Sequence, residues 1–282
     1  MNILPPPGRR GCAFAVLAGL ALVPVSALAQ PAATASVPGA EVQLVAGAVA
    51  GGEADAGLEV RLASGWKTYW RYPGDSGVPP SVSWSASRNV ADVRMDWPTP
   101  RRFSDGAGGA SIGYKGTVLF PLKVRLADPG QPAQLVLAFD FAVCEKLCVP
   151  ARADLVLGLS PEGGAEGARI VSARTALPER RALGAADSPS VQKVELDTTA
   201  QPPRLLIDVK ATNPKADLFA EGPDEHWALP LPQKTALPDG AARFAVPLDG
   251  VPAGVAPYGA RLTLTLVDGP KAVVTEVDVP TP

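Results

Sequence analysis

Prolines and glycines interrupt this sequence so frequently that it has little room for long helices. The 282 residues include 31 prolines and 28 glycines, and a proline inside a helix removes a backbone donor and clashes with the preceding turn. Between these interruptions the apolar segments are short, rich in Val, Leu and Phe, and bounded by Gly, Pro, Asp or Ser. Such spacing predicts an all-β chain built from β-sandwiches.

The predicted strands fall into two groups that are separated by a segment of different composition. The first group comprises 41–47, 57–64, 81–85, 117–126, 133–143 and 153–159. The segment 160–190 is rich in Gly and Ala, is charged, and is predicted to contain one short helix near 168–177. The second group comprises 190–196, 204–211, 242–248 and a hairpin over 261–279 that turns at Asp268-Gly269. We therefore predict two β-sandwich domains, 30–162 and 190–282, joined by a linker over 163–189.

The first 29 residues are predicted to be a secretory signal peptide. Arg9 and Arg10 precede a short apolar stretch that ends in Ala27-Leu28-Ala29, an A-x-A cleavage site. The alternative, a membrane anchor, needs about 20 apolar residues without that small-residue end. No later stretch of 18 apolar residues occurs in the sequence. We therefore expect an exported protein that does not itself span a membrane, located in the periplasm if the source is a Gram-negative bacterium.

The charge of the mature chain argues against one class of partner. Cleavage removes two arginines and no acidic residue, which leaves 24 basic against 28 acidic residues and a net charge of −4. Mild acidity without a basic stripe argues against nucleic acid and against an anionic membrane surface as partners.

Two cysteines remain after the predicted cleavage, Cys144 and Cys148 in "FDFAVCEKLCVPARADL". Export to an oxidising compartment predicts a disulfide between them. If the flanking segments are adjacent antiparallel strands, residues 145–147 form a three-residue hairpin loop and the cysteines oppose each other. Their Cα atoms would then be about 4.5–5.5 Å apart, which a disulfide tolerates.

Three roles for this pair have different physical requirements. Closing so short a loop contributes roughly 2 kcal/mol, against about 4.7 for a loop of 100 residues, so the bridge is poorly placed as a staple. A tetrahedral metal site needs two further ligands, and the mature chain offers one histidine, His226, which we expect at the surface or packed beside Trp227. We therefore predict no metal and no other cofactor. Thiol–disulfide exchange and a local structural disulfide both stay open on spacing alone.

Three ordered blocks of sequence add a family resemblance. They are "GWKTYWRYPGDSGVPPSVSW" (65–84), "WPTPRRFSDGAGGASIGYKGTVLFPLKV" (97–124) and "CEKLCVP" (144–150). Together they resemble the periplasmic N-terminal domain of the thiol:disulfide interchange protein DsbD, and more closely its ScsB-like relatives, strongly over 35–160 and weakly over 190–282. The resemblance implies an immunoglobulin-like fold. It also implies a catalytic redox pair, Cys144 and Cys148, that receives electrons from a membrane-embedded hub and passes them to periplasmic thioredoxin-like proteins.

The resemblance further implies a cap over the cysteines. In the family a loop with an aromatic residue covers the redox pair, and its counterpart here is 101–114, with Phe103 as the predicted shield. Tyr69, in "KTYWR", and Tyr114 match family aromatic positions near the site. Ordinary core packing is the alternative for all three aromatic residues.

This sequence differs from DsbD in two ways, and these differences leave other functions open. DsbD itself separates its cysteines by more residues, and both DsbD and ScsB continue into a transmembrane and a thioredoxin-like domain, whereas this sequence ends at Pro282. We therefore expect a freestanding module whose hub is a separate polypeptide. Two other functions stay open: a non-redox immunoglobulin-like adaptor with a structural disulfide, and a copper-handling protein whose two thiols hold Cu(I). With only two methionines in the sequence, a thioether copper site is not supported.

Overall fold

Antiparallel β-strands make up most of the protein, and the predicted all-β, immunoglobulin-like class is confirmed. The structure, a computed structural model, describes residues 1–2, 33–75, 77–104, 109–160, 162–237 and 241–282. The predicted signal peptide lies outside the described residues except for its first two positions. From residue 33 onward, the described residues belong to one compact unit.

Eleven strands among the described residues form the first sandwich. In chain order they are β1 (Thr34–Val37), β2 (Ala40–Ala50), β3 (Glu53–Leu62), β4 (Lys67–Gly74), β5 (Ser81–Ser83), β6 (Val90–Met95), β7 (Arg101–Ser104), β8 (Ala110–Lys115), β9 (Thr117–Leu126), β10 (Ala133–Cys144) and β11 (Cys148–Leu159). One sheet has the order β1-β2-β3-β9-β6. The other has the order β11-β10-β4-β8-β7, with β5 also paired to β10. The two sheets enclose a core of buried aliphatic and aromatic side chains, among them Leu44, Leu58, Trp70, Leu122 and Leu135.

A helix and eight further strands among the described residues complete the chain. They are α1 (Gly167–Thr175), β12 (Glu179–Arg180), β13 (Ser190–Asp197), β14 (Arg204–Lys210), β15 (Asp217–Glu221), β16 (Gln233–Ala236), β17 (Ala241–Pro247), β18 (Arg261–Asp268) and β19 (Lys271–Asp278). Their two four-stranded sheets have the orders β12-β19-β18-β15 and β13-β14-β17-β16. A second core lies between these sheets and includes Leu205, Ile207, Phe244, Leu262 and Leu264.

Two central strands of the second sandwich follow the sequence pattern closely. β14 and β17 bury every second residue, as expected for strands with one face on the core. The predicted hairpin is also present: Asp268 pairs with Lys271 across a two-residue turn. Gly269 has a φ of +67° in that turn, a conformation that glycine adopts without steric cost.

The segment between the sandwiches contains the predicted short helix. Ile170 of α1 is fully buried, and the helix packs on β2, β3 and β9 of the first sandwich. Arg174 adds two hydrogen bonds, one to Asp55 Oδ1 at 2.6 Å and one to the Leu122 carbonyl oxygen at 2.7 Å. The helix is therefore attached to the first sandwich. Within the part of the chain that the structure describes, no helix has the length and apolar character required to cross a membrane.

Strand β4 was not predicted, and its burial pattern explains why. Thr68, Tyr69 and Trp70 are buried one after another, so the alternation that marks a strand with one exposed face is missing. Trp70 belongs to the core of the first sandwich, whereas Tyr69 packs with Ala142 and Cys144 in a separate cluster. Both faces of the sheet are thus buried at β4. The core of the first sandwich covers one face, and the residues of the cysteine site cover the other.

Candidate redox site

Cys144 and Cys148 lie at the end of a long, regular hairpin. β10 and β11 pair without interruption from Ala133 opposite Leu159 to Cys144 opposite Cys148. The predicted three-residue loop, 145–147, closes the hairpin. The cysteines form a disulfide, with a Cα–Cα distance of 4.1 Å, somewhat shorter than the expected about 4.5–5.5 Å for opposed residues.

The two cysteines are not equally exposed. Cys144 is on β10, an inner strand of its sheet, and is only 1% exposed. Cys148 begins β11, the edge strand, and is exposed. Next to it Leu147, at the tip of the loop, is 80% exposed. Since thiol–disulfide exchange requires a thiolate to approach one sulfur, the exposed residue Cys148 is the better candidate for attack than the buried Cys144.

Tyr69 contacts both sulfurs. Its hydroxyl oxygen lies 3.0 Å from Cys144 Sγ and 3.0 Å from Cys148 Sγ. A disulfide carries no S–H, so the tyrosine must be the donor to both. Burial raises the pKa of Tyr69 above its ordinary value, so the hydroxyl keeps its proton at neutral pH. Of the aromatic positions that the resemblance named, Tyr69 is the one that contacts the disulfide.

Two neighbouring residues, Thr68 and Gly113, hold Tyr69 in place. Its neighbour Thr68 donates from Oγ1 to the Ala142 carbonyl oxygen at 2.9 Å, which ties β4 to β10 beside the cysteines. On the other side, Gly113 of β8 lies opposite Tyr69. A Cβ atom at Gly113 would lie 1.9 Å from the Thr68 carbonyl oxygen, so this close approach of β8 to β4 requires glycine.

Two lysines share the sheet face that carries the cysteines, which we call the disulfide face. Lys67 pairs with Cys144, and Lys115 pairs with Lys67 on the next strand. Directly opposed residues in an antiparallel sheet point to the same side, so both ammonium groups lie on the disulfide face. Lys67 Nζ donates to Ser111 Oγ at 2.8 Å. Cations close to a thiol favour its thiolate, and both lysines lie on the sheet face that carries the cysteine pair.

Sequence reasoning missed these lysines, although the sequence contains a signal for them. In a strand, residues two apart share a face, so the Lys67-x-Tyr69 spacing places Lys67 beside whatever Tyr69 contacts. That inference requires β4 to be predicted as a strand, and its unbroken burial prevented this.

Phe103 also lies on the disulfide face, but at its far edge. It is on β7, the edge strand at the opposite end of the sheet from β11, and pairs with Ser111. Three strand spacings separate β7 from β10, which corresponds to about 14 Å across a flat sheet. Phe103 is half-buried, and Lys115 Nζ lies 4.8 Å from the centre of its ring. The predicted cap segment 101–114 includes residues 105–108, which lie outside the described residues, so the shielding role stays a prediction.

Tyr114 lies on the core side of the same sheet. It pairs with Thr68 and is 6% exposed. Its hydroxyl donates to the Pro98 carbonyl oxygen at 2.8 Å, and its ring meets Phe120 edge-on at 5.3 Å. These contacts are those of a core residue, which is the alternative to a role at the redox site.

Metal-binding groups are dispersed in the described part of the chain. No three His, Cys, Asp or Glu residues are grouped there in a way that could hold a metal ion. The side chain of His226 is 74% exposed, and its Nδ1 lies 3.3 Å from Asp224 Oδ1. It lies at the surface, which was one of the two places expected for it.

Comparison with known proteins finds a family match for the first sandwich and a similar solved structure for most of the chain. Residues 35–160 match the sequence family described as "Thiol:disulfide interchange protein DsbD, N-terminal". The crystal structure of the N-terminal periplasmic domain of ScsB from Proteus mirabilis superimposes with a TM-score of 0.70 at 24% identity, over 88% of this chain and 98% of that one. No curated protein sequence matches the chain significantly.

These two matches support different statements. The similarity to the ScsB domain extends over both sandwiches and, at this level of identity, establishes the fold. The family match is confined to the first sandwich and includes β4, β8 and the cysteine hairpin. The first sandwich of this protein thus matches the family of DsbD N-terminal domains over residues 35–160.

Proposed function

We propose that this protein is a periplasmic thiol–disulfide exchange protein that uses Cys144 and Cys148 as its redox pair. It takes electrons from a membrane-embedded hub and passes them to thioredoxin-like acceptors. The observation that carries the proposal is the asymmetry of the bridge: one cysteine is exposed, the other is buried, and one protonated hydroxyl contacts both sulfurs. The family of the first sandwich supports the reaction class, and the periplasmic ScsB domain supports the compartment.

Electron uptake begins at the exposed cysteine. A donor thiolate attacks Cys148 Sγ, a bond forms between the two sulfurs, and Cys144 leaves with the electron pair as a thiolate. The second donor thiolate then attacks the donor sulfur of this mixed disulfide and releases Cys148. The donor ends as a disulfide, and the pair has gained two electrons.

Electron delivery runs through the same sulfur in reverse. The Cys148 thiolate attacks the disulfide of the acceptor and forms a mixed disulfide, and one acceptor sulfur leaves as a thiolate. Cys144 then attacks Cys148 Sγ, which reforms the bridge and releases the acceptor as a dithiol. Because the cysteines are opposed on a rigid hairpin, the second attack needs little rearrangement.

The buried cysteine needs help to carry charge. An isolated anion in a site that is 1% exposed is strongly disfavoured. The Tyr69 hydroxyl is already in position to donate to it, and hydrogen bonds to charged groups are about twice as strong as neutral ones. Tyr69 therefore lets Cys144 leave as a thiolate without water.

Trapping and redox titration test the proposal together. Cys144→Ser leaves the exposed Cys148 without its resolving partner, so this variant should accumulate a mixed disulfide with a thioredoxin-like protein, whereas Cys148→Ser should not. The wild-type potential, measured against glutathione and thioredoxin couples, should lie above the roughly −300 mV of structural disulfides in secreted proteins. A potential below that value, with no trapped complex, would favour the adaptor with a structural bridge. Stoichiometric Cu(I) binding without trapping would favour copper handling.

A further inference from the structure

One face of strand β15 contacts the first sandwich at three successive positions. Asp217, Phe219 and Glu221 alternate along the strand and therefore point to the same side. Asp217 pairs with Arg102, and Glu221 pairs with Arg71. Between them, the buried ring of Phe219 packs on Trp70 at 5.8 Å between centroids. We call Asp217, Phe219 and Glu221 the β15 clamp.

The clamp reaches the two strands that carry the aromatic residues of the disulfide face. Trp70 directly follows Tyr69 on β4, and Arg71 comes next. Arg102 directly precedes Phe103 on β7. The second sandwich therefore contacts the residue next to Tyr69, which is Trp70, and the residue next to Phe103, which is Arg102.

The contact at β7 is a multiple one. Arg102 donates from Nε to Asp217 Oδ2 at 2.9 Å and from Nη2 to Oδ1 at 2.7 Å. Nη2 also reaches the carbonyl oxygens of Leu218 at 3.4 Å and Pro232 at 3.3 Å. β7 has four residues and pairs only with β8 among the described strands. Arg102 is therefore a second attachment for a short edge strand.

The contact at β4 combines charge and stacking. Arg71 donates from Nε to Glu221 Oε1 at 2.6 Å and from Nη2 to Oε2 at 2.9 Å. Its guanidinium carbon also lies 4.7 Å from the centre of the Trp70 ring. Bidentate pairs fix orientation as well as distance, so this contact restrains β4 just after Tyr69.

We propose that the second sandwich positions the redox site: the β15 clamp holds β4 and β7 and thereby limits how readily a thiol reaches the Cys144–Cys148 bridge. Arg71, Arg102, Asp217 and Glu221 are positioning residues in this scheme. Its meaning for electron transfer rests on the proposed function. Its physical consequence, the accessibility of the bridge, can be measured without any protein partner.

The test is the rate at which dithiothreitol reduces the bridge in native protein. Asp217→Asn removes one charge from the Arg102 pair and loosens β7. We expect reduction about fivefold faster, which corresponds to about 1 kcal/mol at 1.4 kcal/mol per factor of ten. Glu221→Gln should act in the same direction through β4, and the exchanged pair Arg102→Asp/Asp217→Arg should return the rate toward that of the wild type.

A matched control lies within the second sandwich. Arg243 donates to Asp208 Oδ1 at 2.6 Å and Oδ2 at 2.8 Å, and the two side chains are 36% and 23% exposed. The Arg102–Asp217 pair is 28% and 26% exposed. Asp208→Asn therefore removes a similar interaction between β14 and β17, and we expect the reduction rate to stay at the wild-type value.

Each outcome decides the proposal. Faster reduction in Asp217→Asn and Glu221→Gln, but not in Asp208→Asn, supports the clamp. Wild-type rates in both clamp variants overturn it, and so does equal acceleration in the control, which would indicate a general loss of stability. If Asp217→Asn does not fold, Glu221→Gln and the exchanged pair supply the same comparison. A structural redox potential would defeat the proposed function and leave this test intact.

Discussion

Two central strands of the second sandwich, β14 and β17, bury every second residue, whereas β4 of the first sandwich buries three residues in succession. In β14 and β17 the alternation is regular. In β4, Thr68, Tyr69 and Trp70 are all inside. A sheet covered on one face needs only an apolar stripe, whereas a sheet covered on both must place a second set of contacts on its outer side. At β4 that second set of contacts is the redox site.

The neighbouring residues Tyr69 and Trp70 lie on opposite faces of β4 and have different surroundings. Trp70 is 1% exposed and packs in the core, while Tyr69 donates to the disulfide. Substitutions at Trp70 should therefore act mainly on stability, and substitutions at Tyr69 mainly on thiol chemistry. The predictions below test this division.

The largest effect is expected for Trp70→Ala. Truncating a fully buried aromatic side chain costs about 3–5 kcal/mol, measured by denaturant unfolding. Trp227→Ala is the matched control, because Trp227 is 4% exposed in the core of the second sandwich. Both variants should lose similar stability, but only Trp70→Ala should change the rate of bridge reduction, since only Trp70 adjoins Tyr69. Equal rates in the two variants would remove the distinction between these two buried positions.

The next effect concerns the bridge itself. Cys144→Ser/Cys148→Ser should lose at most about 2 kcal/mol, because the closed loop is short, yet should lose all electron transfer. Unfolding in urea and a reconstituted transfer assay measure the two quantities. Wild-type protein reduced with dithiothreitol is the control and should show the same loss of stability. Retained electron transfer in the double variant would exclude the pair as the redox centre.

Sequence reasoning succeeded where one pattern determined the structure. Strand β9 was predicted at its observed bounds, 117–126, and the cysteine hairpin was predicted with its loop. These segments combine apolar β-formers with clear boundaries. The predicted domain bounds stay a prediction, because the helical segment between the sandwiches packs on the first of them and β12 pairs with β19 of the second.

The remaining parts depend on contacts between distant segments. β15 has only five residues, and the three central ones are buried, so neither its length nor its pattern marks it as a strand. The partners of Asp217 and Glu221 are 115 and 150 residues away along the chain. Local spacing holds no information about such pairs. Tyr69 was reached through family resemblance alone, for the same reason.

A smaller effect is expected for Tyr69→Phe. A hydrogen bond to a thiolate is worth about 1.4 kcal/mol, or tenfold in thiolate population. A more basic thiolate is also more nucleophilic, which offsets about half of this on a logarithmic scale. We therefore expect iodoacetamide alkylation of the reduced pair at pH 7 to be about threefold slower. Rates measured on dithiothreitol-reduced protein test this.

Tyr114→Phe is the control for that change. It removes a hydroxyl from the core side of the same sheet, where the acceptor is Pro98. It should cost about 1 kcal/mol of stability and leave alkylation unchanged.

Burial raises the pKa of Tyr69 above 10.0. Its hydroxyl therefore contributes fully below pH 10 and less as the pH rises further, so the difference between Tyr69→Phe and wild type should persist across the neutral range. Equal alkylation of both variants would show that Tyr69 has no part in stabilising the thiolate.

The smallest effect is expected for Phe103→Ala. Phe103 is half-buried on an edge strand, so its removal should cost much less than the about 3–5 kcal/mol of a core Phe→Ala substitution. Phe120→Ala, at a position 2% exposed, provides that core reference. If Phe103 anchors a cap that opens for a docking protein, its loss should speed reduction of the bridge by dithiothreitol. Because Phe103→Ala removes one half-buried ring whereas Asp217→Asn loosens the attachment of the whole of β7, the gain should be smaller than that from Asp217→Asn. Reduction at the wild-type rate together with a large loss of stability would identify Phe103 as a packing residue and would move the cap elsewhere.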